Sequence, residues 1–578
     1  MRSGDDQTGR TGADLLVDSL VRHGVDVVFG FPGDTGVALY DALSRRQTDL
    51  RHVLARDERH AAYMADGYSR TRRHLGVCEA ASGAGAVYLA SGLGEAFASG
   101  IPVLAVTTDN NHRSRGTLAL SEIDQLALFS AVTKWRCAVE STADIPRAVG
   151  EAVTAALSGR PGPVALILAE NLLEETADVP VPEGSATVPA HRGSAAAPDV
   201  ATAAAMLASA ERPAVVAGGG IHLSGAWPNL TDLAEHLALP VATSIHGKGA
   251  IAETHDLALG VSGGNGARTY ANAYLAQADA VLFVGTRANS TDTAGFTAPP
   301  RAGVRVAHID IDVDRAGRNY PGAISLVGDA ATVLDQLRAA APRLGDEIRA
   351  ARVAALRQDR RLWAEQDARP SPDPGPDLLR PRDVVRALHR AFGPATWVVA
   401  DAGTPTPYLA SYWEAPGDGW RVVIPRGHGP MGFAISAAIG VSIGHPGERV
   451  LCLTTEGSVA MGLGDWETAG RLDLPITFVV LDNTSMGWIK MIQHLYLDGR
   501  YFGVDPGRID PVLLAAGMGL PGGRATHLDQ FDLLVKESAS RSGPSVIHAR
   551  VPEHMDSPPP VAAWQAALSG ASTERPIH

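Results

Sequence analysis

Continuous apolar runs recur along this chain. Among them are VDVVFGF (25–31), PVLAVTT (102–108), AVVAGG (214–219), AVLFVGT (280–286), WVVAD (397–401), VLCLTT (450–455) and ITFVVLD (476–482). Runs without polar alternation suit strands buried on both faces of a parallel sheet. Amphipathic stretches of helical period separate them. That alternation predicts α/β layers with helices on both sides of each sheet.

Two stretches break the alternation. Residues 184–199 are rich in Ala, Pro, Gly and Ser, and residues 367–381 are rich in Pro. Both compositions favour extended connecting chain. They divide the 578 residues into three units, expected at 10–183, 200–345 and 380–565, each a doubly wound parallel-sheet domain. The first and last units echo one another. Gly100-Ile-Pro-Val-Leu-Ala-Val-Thr-Thr-Asp109-Asn110 parallels Asp473-Leu-Pro-Ile-Thr-Phe-Val-Val-Leu-Asp482-Asn483.

A formal net charge of -13 argues against nucleic acid or an anionic membrane as partner. The amino-terminal MRSGDDQTGR is charged and lacks the apolar core of a secretory signal. Residues 429–444 are apolar but short for a membrane span and rich in Gly, so a buried helix is expected there. Cys78, Cys137 and Cys452 have no metal-like spacing; three buried thiols in a reducing cytoplasm fit them.

The chemistry concentrates in the third unit. The run 450–455 leads into Thr455-Glu456-Gly457-Ser458, a helical stretch follows, and a second run ends at Asp482-Asn483. Asn483 comes 27 residues after Glu456. In a parallel sheet, a strand–helix–strand unit returns both strand ends to one edge. A carboxylate and an amide oxygen can then share one hard cation, while backbone N–H groups of the turn face a phosphate.

This segment resembles the magnesium–diphosphate motif of thiamine-diphosphate enzymes, Gly-Asp-Gly followed at about this spacing by Asn-Asn. Thr455 stands for the first Gly and Glu456 for the Asp. The segment Arg56-Asp57-Glu58-Arg59-His60-Ala-Ala-Tyr-Met-Ala-Asp66-Gly67-Tyr68-Ser69-Arg70 is similar to the stretch around the activating glutamate of acetolactate synthases. Further likenesses span nearly the whole chain. They include Phe31-Pro32-Gly33-Asp34, Tyr40-Asp41-Ala42-Leu43, Ser82-Gly83-Ala84-Gly85, Thr133-Lys134-Trp135, Gly247-Lys248-Gly249, His308-Ile309-Asp310-Ile311-Asp312, Gly403-Thr404 and Gly427-His428-Gly429-Pro430-Met431-Gly432-Phe433.

The resemblance implies a site for each group. Glu456, Asn483 and the Ser485 carbonyl would hold Mg2+. Gly403, Thr404, Gly457, Ser458, Asn483, Ser485, Met486 and Gly487 would surround the thiamine diphosphate. The Gly429 carbonyl would accept from its 4′-amino group, and Met431 would wedge it into a bent shape. Glu58 would contact N1′ of the aminopyrimidine and share the proton that activates the cofactor; a carboxyl in an apolar cleft has a raised pKa suited to that task.

Departures from the pattern bear on substrate. Where acetolactate synthases carry Phe-Gln-Glu, this chain has Leu120, Ser121 and Glu122. Where their acceptor pocket has a Met and a Trp, it has Trp488 and Ile492. Leu120, Trp488 and Ile492 are therefore expected to reshape that pocket, with Ser121 a catalytic candidate. Asp34, similar in setting to a proton-handling Asp of pyruvate decarboxylases, is another; an N-cap of the following helix is its structural alternative. Gly218-Gly219-Gly220 is a weak nucleotide cue. The Arg-Phe-Asp-Asp-Arg run that helps acetolactate synthases hold FAD is replaced by Arg287-Ala-Asn-Ser-Thr, so FAD is not expected.

The implied activity is decarboxylation of a 2-oxo acid and transfer of the acyl carbanion equivalent to an acceptor carbonyl, by a homodimer or homotetramer. A simple 2-oxo acid decarboxylase or C–C lyase of the same superfamily is the first alternative. A non-catalytic paralogue, supported by the altered Thr-Glu-Gly, is the second.

Overall fold

The computed structural model describes residues 9–369, 373–417, 419–571 and Arg575. The first eight residues of the amino-terminal segment and residues 370–372 of the second connecting stretch lie outside the described residues.

Among the described residues, three six-stranded sheets, all parallel, give three doubly wound α/β units. In the first, the order across the sheet is Arg51–Leu54, Val27–Phe31, Gly76–Ala80, Val103–Asp109, Val164–Ala169, Trp135–Val139. In the third it is Val422–Val423, Trp397–Ala400, Val450–Thr455, Ile476–Asp482, Ser545–Arg550, Gly522–Ala525. Numbered within each unit, both read 2-1-3-4-6-5. The middle sheet reads 3-2-1-4-5-6, the order of dinucleotide-binding domains. A shared order in the outer units, distinct from the middle one, gives the internal echo a structural basis.

The strands are apolar because helices cover both faces. Val103–Asp109 and Val164–Ala169, for instance, pair through six positions and are buried along nearly their whole length. The helix Phe433–Gly444 lies within residues 429–444 and is buried at every position. Cys78 and Cys452 are buried, whereas Cys137 is only partly so, at an edge strand rather than in the core. Among the described residues, no helix is long and apolar enough to cross a membrane.

The middle unit carries a further helix, Asp346–Asp367, beyond residue 345. Four of its arginines bind that unit: Arg349 pairs with Glu235, Arg352 donates to the carbonyls of Leu237 and Ala238, Arg357 pairs with Asp256, and Arg360 donates to the carbonyls of His255 and Asp256. Pro381 then opens the helix Pro381–Phe392, where its missing N–H costs nothing.

Two helices join the outer units. Glu58–Arg72 crosses Phe433–Gly444 so closely that a Cβ at Gly440 would lie 1.9 Å from the Met64 carbonyl oxygen. A Cβ at Gly67 would lie 2.3 Å from that of Ala437. Glycine permits this approach. The middle unit is tied to the third by a buried cluster: Glu253 pairs with Lys248 and Arg268, which in turn donate to the carbonyls of Ala410 and Ser411.

Candidate active site

The strand Val450–Thr455 runs beside Ile476–Asp482 with Thr455 opposite Leu481, so Glu456 and Asn483 emerge at the same sheet edge. Thr455 caps the helix Glu456–Gly462, its hydroxyl accepting from the Ser458 N–H. Glu456 is buried. Burial pushes its carboxyl up to about 8, and the Asp482 charge adds to this against the N–H groups of Ser485 and Asn483.

Several polar atoms here are buried without a partner: Glu456 Oε2, Asn483 Nδ2, Ser485 Oγ and His554 Nδ1. Orphaned buried polar atoms are costly, and their convergence marks a place built for something polar. Of these, Glu456 Oε2 is an oxygen donor that suits a hard cation such as Mg2+ or Ca2+, whereas the Asn483 NH2 and the Ser485 hydroxyl can donate to an anion; the Asn483 amide oxygen accepts from the Ser485 N–H at 3.3 Å. Among the described residues no group of three or more His, Cys, Asp or Glu could hold a metal alone. Anionic oxygens from a ligand would have to complete the shell.

The rest of the cradle surrounds this edge. A Cβ at Gly457 would meet Met431 Cε at 3.2 Å and Met486 Sδ at 3.5 Å, so two methionine tips converge over bare backbone. A Cβ at Gly487 would clash with Asn483 Nδ2 at 2.2 Å, which presses the start of the helix Gly487–Tyr496 onto that amide. Gly403 has φ +97 with open space beside it, and the Thr404 hydroxyl lies 3.0 Å from His554 Nε2. Gly429, at φ +70, sits in the loop that leads to Met431.

A second group of residues lines an edge of the first sheet. Glu58 opens the helix Glu58–Arg72, and Asp57 caps it by accepting from the Arg59 N–H at 2.8 Å. Glu58 is half-buried. Burial raises its carboxyl above the usual range, and the charges of Asp57 and Glu79 reinforce this against its own backbone N–H. Gly85 leaves room for it: a Cβ there would lie 3.0 Å from Glu58 Oε1. At the neighbouring Gly83 a Cβ would lie 2.7 Å from the Cβ of Ser121, which brings Ser121 to the same glycine-rich loop. Asp34 is exposed and accepts from the Thr35 N–H at 3.0 Å. It does not cap the helix Val37–Arg45, whose N-cap is Gly36.

The three pocket candidates are divided. Leu120 projects from the first unit and is 87% exposed. Trp488 and Ile492 pack in a small apolar cluster beneath the helix Ala562–Leu568, with the rings of Trp488 and Trp564 4.3 Å apart. Sequence reasoning missed that carboxyl-terminal cover, as well as His554. It also missed Glu95, whose signal was a lone acid in the Gly/Ala-rich run Ala90-Ser-Gly-Leu-Gly-Glu95-Ala.

Three family models match the chain in order. They are the thiamine pyrophosphate enzyme N-terminal TPP-binding domain over residues 10–128, the central domain over 200–337 and the C-terminal TPP-binding domain over 401–549. A probable acetolactate synthase large subunit of Methanocaldococcus jannaschii is 31% identical over 93% of this chain and 91% of its own length. The chain belongs to the acetolactate synthase-like thiamine pyrophosphate enzymes. The large subunits of acetolactate synthase isozymes 2 and 3 of Escherichia coli K12 are similar too. The former is 30% identical over 98% of this chain and 99% of its own length; the latter is 33% identical over 85% of each. In this thiamine pyrophosphate enzyme the amino-terminal matched domain carries Glu58 and the carboxy-terminal one carries Glu456, Asn483 and Ser485.

Proposed function

We propose that this enzyme decarboxylates a pyruvate-like 2-oxo acid and joins the acyl fragment to an acceptor carbonyl, using thiamine diphosphate and Mg2+. What supports the reading is the unpartnered Glu456 Oε2, with the unpartnered donors Asn483 Nδ2 and Ser485 Oγ following the neighbouring strand, together with the Met431–Gly457–Met486 cradle. When bound, thiamine diphosphate supplies a carbon nucleophile and an electron sink, chemistry no side chain offers. Glu456, Asn483 and the Ser485 carbonyl would hold the metal. Backbone N–H groups at the start of Glu456–Gly462 would face the diphosphate. Gly429 and Met431 would orient the pyrimidine, and Glu58 would hold or release a proton at its ring nitrogen. Asp34 and Ser121 would face the substrate side, and Leu120, Trp488 and Ile492 would shape the acceptor pocket.

On the same reading the enzyme works as a homodimer or homotetramer, with the first unit of one copy facing the third unit of another, in keeping with closed symmetry. An active monomer in sedimentation would refute this.

On this reading no flavin is expected. A cleft between the first and middle units, lined by Arg160 of the first and Gly219, Gly220, Arg287, Asp310 and Arg315 of the middle one, is dinucleotide-like in placement. Arg287, however, donates to the carbonyl of Arg426 at 2.8 Å, and the residues after it do not continue a flavin-binding run. A flavin absorption band in the purified protein would overturn this.

The activity is tested with a panel of 2-oxo acids labelled in the carboxylate, in the presence of thiamine diphosphate and Mg2+. Labelled carbon dioxide together with a joined hydroxyketone supports the reading. Labelled carbon dioxide with free aldehyde assigns a simple decarboxylase instead. No turnover of any 2-oxo acid would overturn it.

A further inference from the structure

Glu95 lies near the end of the helix Ala84–Ser99 in the first unit, 1% exposed among small and apolar neighbours. Its carboxylate accepts from three consecutive backbone N–H groups of the third unit. Gly427 donates to Oε1 at 3.0 Å; His428 and Gly429 donate to Oε2 at 2.8 and 3.1 Å. Arg70 Nη2 and Ser99 Oγ donate to Oε1 at 3.1 and 2.7 Å. The loop is also pressed against the helix: a Cβ at Gly427 would lie 2.8 Å from Ala98 Cβ, and one at Gly94 would lie 2.8 Å from His428 Nδ1.

Burial alone would raise the Glu95 carboxyl, but Arg70, His246, Ser99 and the His428 N–H outweigh it and hold it at about 2. The group is a fixed anion in a nest of donors, and charge-assisted bonds of this kind are about twice as strong as neutral ones. Residues 427–429 have no regular secondary structure of their own. Two residues beyond the last N–H that Glu95 holds stands Met431, whose Cε faces Gly457.

We propose that Glu95 is a positioning residue that clamps residues 427–429 so that the Gly429 carbonyl and Met431 are set to receive the aminopyrimidine of thiamine diphosphate. This rests on the reading of that loop as the pyrimidine side of the site. Glu95 touches neither cofactor nor substrate and acts through the loop. Glutamine cannot replace it, because in either orientation its NH2 faces N–H donors.

The test is Glu95→Gln, with two probes binding at opposite ends of the cradle. Thiamine diphosphate is titrated with saturating Mg2+, read by intrinsic tryptophan fluorescence, and inorganic pyrophosphate is titrated as a competitor that engages only the metal–diphosphate end. The expected result is thiamine diphosphate affinity weakened by roughly 10- to 100-fold, as for loss of two charge-assisted bonds, with pyrophosphate affinity unchanged. Unchanged thiamine diphosphate affinity would overturn the proposal. So would equal weakening of both probes, which is what a merely structural role gives. Should the glutamine variant not fold, Glu95→Asp, which keeps the charge but withdraws it by one methylene, carries the same two titrations. A wild-type protein that binds pyrophosphate no worse than thiamine diphosphate would instead remove the pyrimidine reading beneath the proposal.

Discussion

Glu58→Gln is the most informative single change. The side chain keeps its size, so the space left by Gly85 and the Asp57 cap of the helix should survive, and the cofactor should still bind. What disappears is the proton. In the wild type the half-buried carboxyl is raised above its ordinary range by burial and, to a lesser degree, by the Asp57 and Glu79 charges. General acid–base groups contribute about 10²–10⁴-fold, or roughly 3–5 kcal/mol of barrier. The assay is deuterium exchange at C2 of bound thiamine diphosphate, quenched in acid and read by NMR, at matched cofactor occupancy. A loss in exchange rate of that order is expected. Gly85→Ala, which crowds the carboxyl instead of neutralising it, should lower exchange less. Equal exchange in wild type and Glu58→Gln would refute the assignment of Glu58 as activator.

Glu456→Ala should abolish Mg2+-dependent retention of thiamine diphosphate through gel filtration, whereas Glu456→Asp should keep it; full cofactor content in the alanine variant would rule out the carboxylate as a ligand. Gly440→Ala places a methyl 1.9 Å from the Met64 carbonyl oxygen and must push the crossing helices apart. Overpacking of this kind costs about 1–3 kcal/mol, and calorimetry should show a melting temperature lower by roughly 2–4 °C per kcal/mol; unchanged melting would contradict the close crossing. Asp401 is fully buried, and burial raises its carboxyl from 3.8 to about 6 against the Thr454 and Ala434 donors. A raised folded value means stability present at low pH and lost as pH rises from about 4 through 6. Two units are worth about 3 kcal/mol, so the stability difference between wild type and Asp401→Asn should shift by up to that amount between pH 4 and 7.5, and a constant difference in denaturant unfolding would refute it.

The apolar runs made the three sheets legible, because strands covered on both faces have no reason to alternate. The Glu456–Asn483 edge was legible for a related reason: parallel connectivity returns both strand ends to one side, so spacing in sequence becomes proximity in space. The surroundings of Trp488 and Ile492 were not legible. Both are covered by Trp564 and Val561, and nothing local to residues 488–492 announces a helix that folds back from more than seventy positions later. Glu95 was hidden for the same reason: the N–H groups it binds lie 332 to 334 positions away. Local periodicity carries no information about such a pairing.

The matching strand order of the outer units gives that pairing a wider sense. In each unit the helix after the second strand is the one that crosses into the other unit: Glu58–Arg72 in the first, Phe433–Gly444 in the third. Each of these helices is approached by a loop, and each loop is held by a buried carboxylate that follows the third strand of the opposite unit. Glu95 takes the N–H groups of Gly427, His428 and Gly429 ahead of Phe433–Gly444. Asp465, equally buried, takes the Arg56 N–H at 3.0 Å and lies 2.7 Å from His60 Nδ1 at the start of Glu58–Arg72. The two contacts occupy corresponding places in two units of the same strand order. One holds the residues ahead of Met431; the other holds the residues ahead of Glu58. Two units of like strand order packed on one another therefore place one buried acid behind each crossing helix, and the donors it holds explain why a lone carboxylate in a helix of small residues stands at a position where burial alone would exclude it.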